Sequence, residues 1–262
     1  TSSFHGRTIG ALSVGSNKKY KSDIGPVPGK VKFCKFNDVS HLKKLVNKKT
    51  VAIIIEFVQG DGGINICSKN FAKAIKGICK NKKILLIGDE IQGGIGRTGK
   101  IFAYKHYGVN PDIITSAKGL GSGIPIGATI VKKYISKIIS TGFHGSTFGG
   151  GMLQTRVSYN VFRTINNKSF LNKVLINGNL LSSLIKKMHL LHKDKIVDTR
   201  CLGLMAGVEF KNNQIALKTY EKMSKNGLIS TLIQGNIIRL TPPLTVSTGE
   251  IRKAIKIITQ SL

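Results

Sequence analysis

The sequence predicts an α/β protein with a mostly parallel sheet, and three observations carry that reading. Short apolar runs rich in β-branched residues recur at 51–56 (Val-Ala-Ile-Ile-Ile-Glu) and 84–87 (Ile-Leu-Leu-Ile), with a third, short one at 113–115 and a fourth at 126–131. Continuous apolar runs of this length read as strands buried on both faces, the setting of a parallel sheet covered by helices. Segments with apolar residues at helical spacing alternate with them, the pattern of successive strand–helix units. Finally, residues suited to chemistry close three of the runs: Glu56, Asp89 with Glu90, and Lys118 just past the third. Ligand crevices in open α/β sheets form at such strand ends.

Taken in order, the first helix of this pattern spans 68–80, with Phe71, Ala74, Ile75 and Ile78 on one face. A further helix is expected over 132–139. The character changes after Gly149-Gly150-Gly151. Helices are expected at 152–165 and 170–191, the second long and amphipathic, then a strand at 203–210 and a helix at 214–225. A strand at 236–240 and a helix at 248–258 complete the chain. This tail reads as a smaller α+β unit joined by a long helix. The boundary falls near residue 165, giving a large domain over 1–165 and a linker helix with a small domain over 166–262. No internal repeat is found.

The 262 residues are enough for one large or two modest domains, and 41% apolar content suits a globular chain. No apolar run reaches the roughly 18 residues of a membrane span, and no charged-then-apolar leader opens the chain. Cys34, Cys67, Cys79 and Cys201 are scattered with no C-x-x-C pair, which predicts free thiols in a reducing cytoplasm and no metal site. The start at Thr1-Ser2-Ser3, without Met, reads as a fragment of a longer chain. The formal charge of +29 invites a nucleic-acid reading. However, the cations are mostly Lys, they spread along the whole chain, and Asn and Ile are abundant beside them. That composition follows from A/T-rich codons without selection for nucleic acid. A basic surface still draws in anionic substrates.

Lys118 lies in Thr115-Ser116-Ala117-Lys118-Gly119-Leu120-Gly121. An amine that loses its proton can attack a carbonyl, and flanking glycine lets a planar group approach the backbone. The same segment serves equally as a flexible loop with an exposed lysine. Gly119-Leu120-Gly121-Ser122-Gly123 has neither the Rossmann nor the Walker spacing of a nucleotide loop.

Longer strings decide between these readings. They are Phe4-His5-Gly6-Arg7-Thr8, Gln59-Gly60-Asp61-Gly62-Gly63, Asp89 through Gly99, Phe102 through Gly108, Pro125-Ile126-Gly127-Ala128, His144 through Gly150, and Arg239-Leu240-Thr241-Pro242-Pro243-Leu244. With the Lys118 segment they run through nearly the whole chain in order. The sequence resembles the class-III aminotransferases, enzymes of fold-type I that depend on pyridoxal 5'-phosphate (PLP), and among them most the acetylornithine aminotransferases.

The resemblance implies roles. Lys118 would carry the cofactor and shuttle the substrate proton. Asp89 would pair with the pyridine nitrogen and Gln92 with the phenolic oxygen, while Phe4 and Ile91 sandwich the ring. Thr147, with Ser146, would meet the phosphate across a homodimer interface, so active sites would be shared between subunits. Arg7 would hold the distal carboxylate of the substrate and Arg239 the α-carboxylate of glutamate or 2-oxoglutarate, since guanidinium matches carboxylate in two places. Glu56 would line the same pocket. In relatives an acid of the Q-G-E-G-G motif covers the second arginine; here it is Asp61, one methylene shorter. Taken singly, Phe4 also suits a core aromatic, Thr147 a turn residue and Arg97 a loop support.

The implied reaction moves an ω-amino group from N-acetylornithine to 2-oxoglutarate, with succinyldiaminopimelate as a further substrate pair. Ornithine or 4-aminobutyrate aminotransferases are the neighbouring alternatives, and a decayed non-catalytic member or a basic nucleic-acid binder the distant ones. The sequence departs from the family at Phe57, where Pro is usual, and at Gly151-Met152, where Asn-Pro is usual. The family's N-terminal phosphate-cradling turn is not among these residues.

Overall fold

The computed structural model describes residues 1–22 and 24–262. Two short helices, α1 (Ile9–Val14) and α2 (Val39–Leu45), precede strand β1 (Ala52–Ile55) and the small hairpin β2 (Val58–Gln59) and β3 (Asn65–Ile66). Helix α3 (Lys69–Lys82) leads to β4 (Leu85–Asp89), β5 (Ile113–Ser116) and β6 (Ala128–Val131). Then come α4 (Lys133–Ser136), α5 (Met152–Ile165), α6 (Lys168–Leu191), β7 (Ile196–Leu202) and β8 (Met205–Phe210). The chain closes with α7 (Asn213–Lys225), β9 (Thr231–Ile233), β10 (Ile237–Leu240) and α8 (Thr248–Ser261).

The first sheet has the order β1-β4-β5-β6. Its first three strands are parallel, and β6 runs antiparallel to β5. The mostly parallel α/β sheet expected from the buried runs is therefore present. Helix α3 covers it, because Phe71, Ala72, Ile75 and Cys79 fall on one face and are all buried. Ser68 caps the helix by accepting from the Phe71 N–H at 3.1 Å. Phe57 belongs to the same core. It is 1% exposed and stacks on Tyr107 at 5.4 Å, so packing accommodates the ring at this position. Burying such a ring stabilises by about 1.5–3 kcal/mol.

The second sheet has the order β7-β8-β10-β9 and is antiparallel throughout. Helices α6, α7 and α8 pack on one face around Val208, Phe210, Ile238, Ile185 and Ile258. Ser247 and Glu250 form a reciprocal capping box at the start of α8. On the other side, Met205 clusters with Val58 and Ile64, so the β2–β3 hairpin sits against this sheet. A Cβ on Gly63 would lie 2.8 Å from Ile237 Cδ1, which shows how closely the hairpin backbone approaches β10.

Several expected bounds are corrected. The helix expected over 132–139 closes after Ser136, and Ile138, 79% exposed, finds no apolar surface to cover it. The strand expected from Ile126 begins at Ala128; Ile126 instead packs against the Ile95–Leu120 cluster. Strands β2, β3, β7 and β9 were not anticipated. The first two are two residues each, and β7 is broken by Asp198 and Arg200, which obscure its alternation.

Candidate active site

The site is built at the C-terminal ends of the parallel strands. Pairing of β4 with β5 sets Asp89 opposite Thr115. Asp89 is buried there, and its two oxygens are occupied by donors. Oδ1 accepts the Ile91 N–H at 3.0 Å, and Oδ2 lies 2.6 Å from His5 Nδ1. The two side chains are 4% and 3% exposed. A donor on each oxygen satisfies a carboxyl group that burial removes from water.

One strand over, Glu56 fixes the neighbouring backbone. Its Oε1 accepts the Phe4 N–H at 2.9 Å and its Oε2 the Gly60 N–H at 3.4 Å. Burial pushes the Glu56 carboxyl up to about 7, against the lowering influence of the Phe4 N–H and His5; the nearby Asp89 pushes the same way as burial. The Phe4-His5 segment is thus pinned by two carboxylates from adjacent strands. Glu90, fully buried, accepts from the Ala103 and Tyr104 N–H groups and is also pushed up to about 7, chiefly by burial.

Lys118 opens a single 3-10 turn after β5 with φ of 48°. A left-handed lysine costs on the order of 1 kcal/mol, a cost tolerated where surroundings fix it. Its side chain lines a cavity of about 630 Å³ together with Ile91, Gln92, Ser122, Thr241 and Pro243. The space Gln92 occupies exists because residue 60 is glycine: a Cβ there would fall 1.1 Å from Gln92 Oε1. Two buried hydroxyls beside the site, Thr115 Oγ1 and Ser116 Oγ, have no hydrogen-bond partner among the described residues.

The two candidate arginines are placed differently. Arg239 on β10 donates through Nη1 to Asp61 Oδ1 at 2.6 Å, so aspartate reaches despite its missing methylene. Arg239 is 14% exposed, and its Nε has no partner among the described residues. Gln234 Nε2 donates to the Asp61 carbonyl at 2.6 Å and steadies the turn. Arg7 is exposed, with its guanidinium 3.9 Å from the Tyr20 ring centre and 5.7 Å from that of Phe4. Ser146 and Thr147 lie on the exposed stretch 141–150, and neither side chain makes a hydrogen bond among the described residues.

The structure therefore gathers Asp89, Phe4 and Glu56 into one buried network and Lys118, Ile91 and Gln92 around one cavity, and it joins Asp61 to Arg239. It does not bring Ser146 and Thr147 to them. Sequence reasoning missed His5 and Tyr20. His5 stood in view between Phe4 and Arg7 in one motif, whereas Tyr20 carried no local signal. Among the described residues no cluster of three or more metal-ligating side chains occurs, and no helix is long and apolar enough to cross a membrane.

A family model described as aminotransferase class-III matches residues 1–262. The chain belongs to the class-III aminotransferases. Ornithine aminotransferase 1 of Staphylococcus saprophyticus is 39% identical over 99% of the chain and 65% of its own length. Acetylornithine aminotransferase of Methanocaldococcus jannaschii is 40% identical over 95% of the chain and 62% of its own length. Among solved structures, ornithine aminotransferase from Toxoplasma gondii superposes with a TM-score of 0.93 at 29% identity, over 99% of this chain and 62% of that one. The chain thus spans a little under two thirds of the length of such relatives.

Class-III aminotransferases use PLP, and the residues present fit its ring. A buried carboxylate supported by two donors, the Gln92 amide, the apolar Ile91 side chain and the Lys118 amine are a set that would suit a charged pyridine. The unpartnered hydroxyls of Thr115 and Ser116 leave polar capacity at the same strand end.

Proposed function

We propose that the whole protein is a PLP-dependent ω-aminotransferase that moves the terminal amino group of N-acetylornithine to 2-oxoglutarate, a step of arginine biosynthesis. The observation that carries this reading is the Asp61–Arg239 pair. An enzyme that takes an ω-amine must cover a guanidinium in one half-reaction and free it for a dicarboxylate in the other. A partly exposed carboxylate at 2.6 Å supplies such a cover.

When bound, PLP supplies the electron sink for the substrate's reacting carbon. The protein side of the work falls to this chain's residues. Asp89, backed by His5 and the Ile91 N–H, keeps a proton on the ring nitrogen. Gln92 orients the ring through its phenolic oxygen, and Phe4 and Ile91 hold its faces. The Lys118 amine carries the cofactor and then moves the proton to and from the reacting carbon. Arg7 receives the distal carboxylate and Arg239 the α-carboxylate of the second substrate. Glu56 keeps the Phe4 and Gly60 backbones in register beside the pocket.

Ser146 and Thr147 act in this reading on the phosphate of a partner subunit's site. Their exposure, with Phe143, Phe148, Met152 and Leu153 exposed around them, supports a homodimer with shared sites. The reading places the enzyme in the cytoplasm with small amino-acid and 2-oxo-acid substrates.

Ornithine is the second donor to consider, because ornithine and acetylornithine enzymes are matched at nearly equal identity. Succinyldiaminopimelate belongs beside it, being named for the relative from Buchnera aphidicola, 36% identical over 97% of this chain. Amino-donor profiling of the full protein decides. N-acetylornithine preferred over free ornithine and 4-aminobutyrate supports the proposal, and ornithine preferred by tenfold or more, about 1.4 kcal/mol in the transition state, replaces it.

A further inference from the structure

The turn Gly96-Arg97-Thr98-Gly99 is where the loops of the first sheet lock into the second half of the chain. The contact is close: the turn's backbone meets side chains at Gly96 and Gly99 and meets backbone at Gly203. A Cβ on Gly96 would lie 2.5 Å from Ile165, one on Gly99 2.3 Å from Leu175, and one on Gly203 2.5 Å from the Thr98 backbone. Arg97 is the charged member of this joint. Its carbonyl accepts the Leu204 N–H at 3.0 Å, and its Nη1 donates to the Leu204 carbonyl at 3.1 Å and to the Pro242 carbonyl.

Among the described residues no carboxylate pairs with Arg97, and burial pushes its guanidinium down to about 10. A buried cation satisfied only by carbonyls is costly, so an apolar side chain would serve a merely structural joint better. A planar guanidinium adds rigid geometry: its Nη1 alone ties the turn between β7 and β8 to the segment after β10. Pro242 lies three residues beyond Arg239. Thr241, Pro243, Leu244 and Thr245 line the same cavity as Gln92 and Lys118, and Arg97 lines it too.

We propose that Arg97 is a positioning residue for the carboxylate anchor: by holding the Pro242 carbonyl it sets the place of Arg239 and the Thr241–Thr245 wall relative to Lys118. The proposal rests on the reading of Arg239 given above. Arg97 itself touches no substrate in this role.

The test compares Arg97→Met and Arg97→Lys in the full, cofactor-loaded protein, with Arg239→Ala alongside. Arg97→Met raises KM for 2-oxoglutarate about tenfold or more while kcat stays within about threefold, and Arg97→Lys recovers part of the loss. In ligand-free protein, amide exchange at Thr241 and Leu244–Val246 speeds up at least about tenfold in Arg97→Met. Unchanged KM and unchanged exchange overturn the proposal, as does a fall in kcat equal to the fall in kcat/KM. If Arg97→Met does not fold, the lysine variant decides on the same two readouts. If Arg239→Ala leaves KM unaltered, the anchor reading fails, and the exchange result alone decides whether Arg97 sets this wall.

Discussion

Asp89 and Thr147 are assigned to the two ends of one cofactor, yet the chain treats them in opposite ways. Asp89 is 4% exposed in its side chain, with a donor on each oxygen and strands on either side. Thr147 is exposed, without a side-chain hydrogen bond among the described residues, next to Phe148 at 87% exposure. The difference separates what a single chain completes from what needs a second surface. The ring end is organised by local topology, because parallel strands bring Asp89, Glu56 and Lys118 to one edge. The phosphate end depends in our proposal on a partner subunit.

The largest effect belongs to Lys118→Ala, which removes the amine that moves the proton in the proposed reaction. Turnover falls by about 10²–10⁴-fold or more, while thermal stability is preserved because the side chain is exposed. Retained turnover would place the chemistry on another residue. Asp89→Asn comes next. An amide keeps the shape but loses the charge and sets an NH2 against one of two donors, costing about 1–3 kcal/mol. Both cofactor affinity and the melting temperature drop, so a loss of affinity at constant stability would show that the network is not structural.

Thr147→Ala sharpens the contrast from the other end. Stability moves by no more than about 0.5 kcal/mol, as for exposed positions, whereas cofactor affinity falls only under conditions where the protein is dimeric. Affinity loss in a monomer would contradict the shared-site proposal.

The last effect is in pH and touches stability alone. Glu56 and Glu90 have folded values near 7, above an ordinary 4.5. The folded state therefore binds more protons between those values than the unfolded state, and stability falls as pH rises from about 4.5 to 7. Each group contributes at most about 3 kcal/mol to that fall. Glu90→Gln removes its share of the slope, which denaturation midpoints at pH 5 and pH 8 would measure. An unchanged slope would mean Glu90 does not carry it.

The same contrast governs how much could be read in advance. The buried strands announced themselves as unbroken apolar runs, and their closing residues Glu56, Asp89 and Lys118 were visible because a polar group ends each run. Helices α5 and α6 showed through their periodicity. Strand β7 did not, since Asp198 and Arg200 interrupt its pattern and pair with each other at 3.1 Å in three dimensions. The Asp61–Arg239 contact joins residues 178 apart, and nothing local to either reports the distance. The tie from Arg97 to Pro242 spans 145 residues and was legible only as a loop support. Local chemistry was readable, then, where the backbone dictates it; the Asp61–Arg239 pairing was foreseen from the resemblance alone, and its geometry appeared only with the packing of the second sheet on the β2–β3 hairpin.

Cofactor trapping tests the central claim most directly. The purified chain of 262 residues is mixed with PLP, reduced with borohydride and mapped by mass spectrometry. A single adduct on Lys118, lost in Lys118→Ala, is the predicted result, because the ring end is organised within this chain. Adducts scattered over surface lysines, or none, would contradict it and show that the organised end also needs chain beyond these residues.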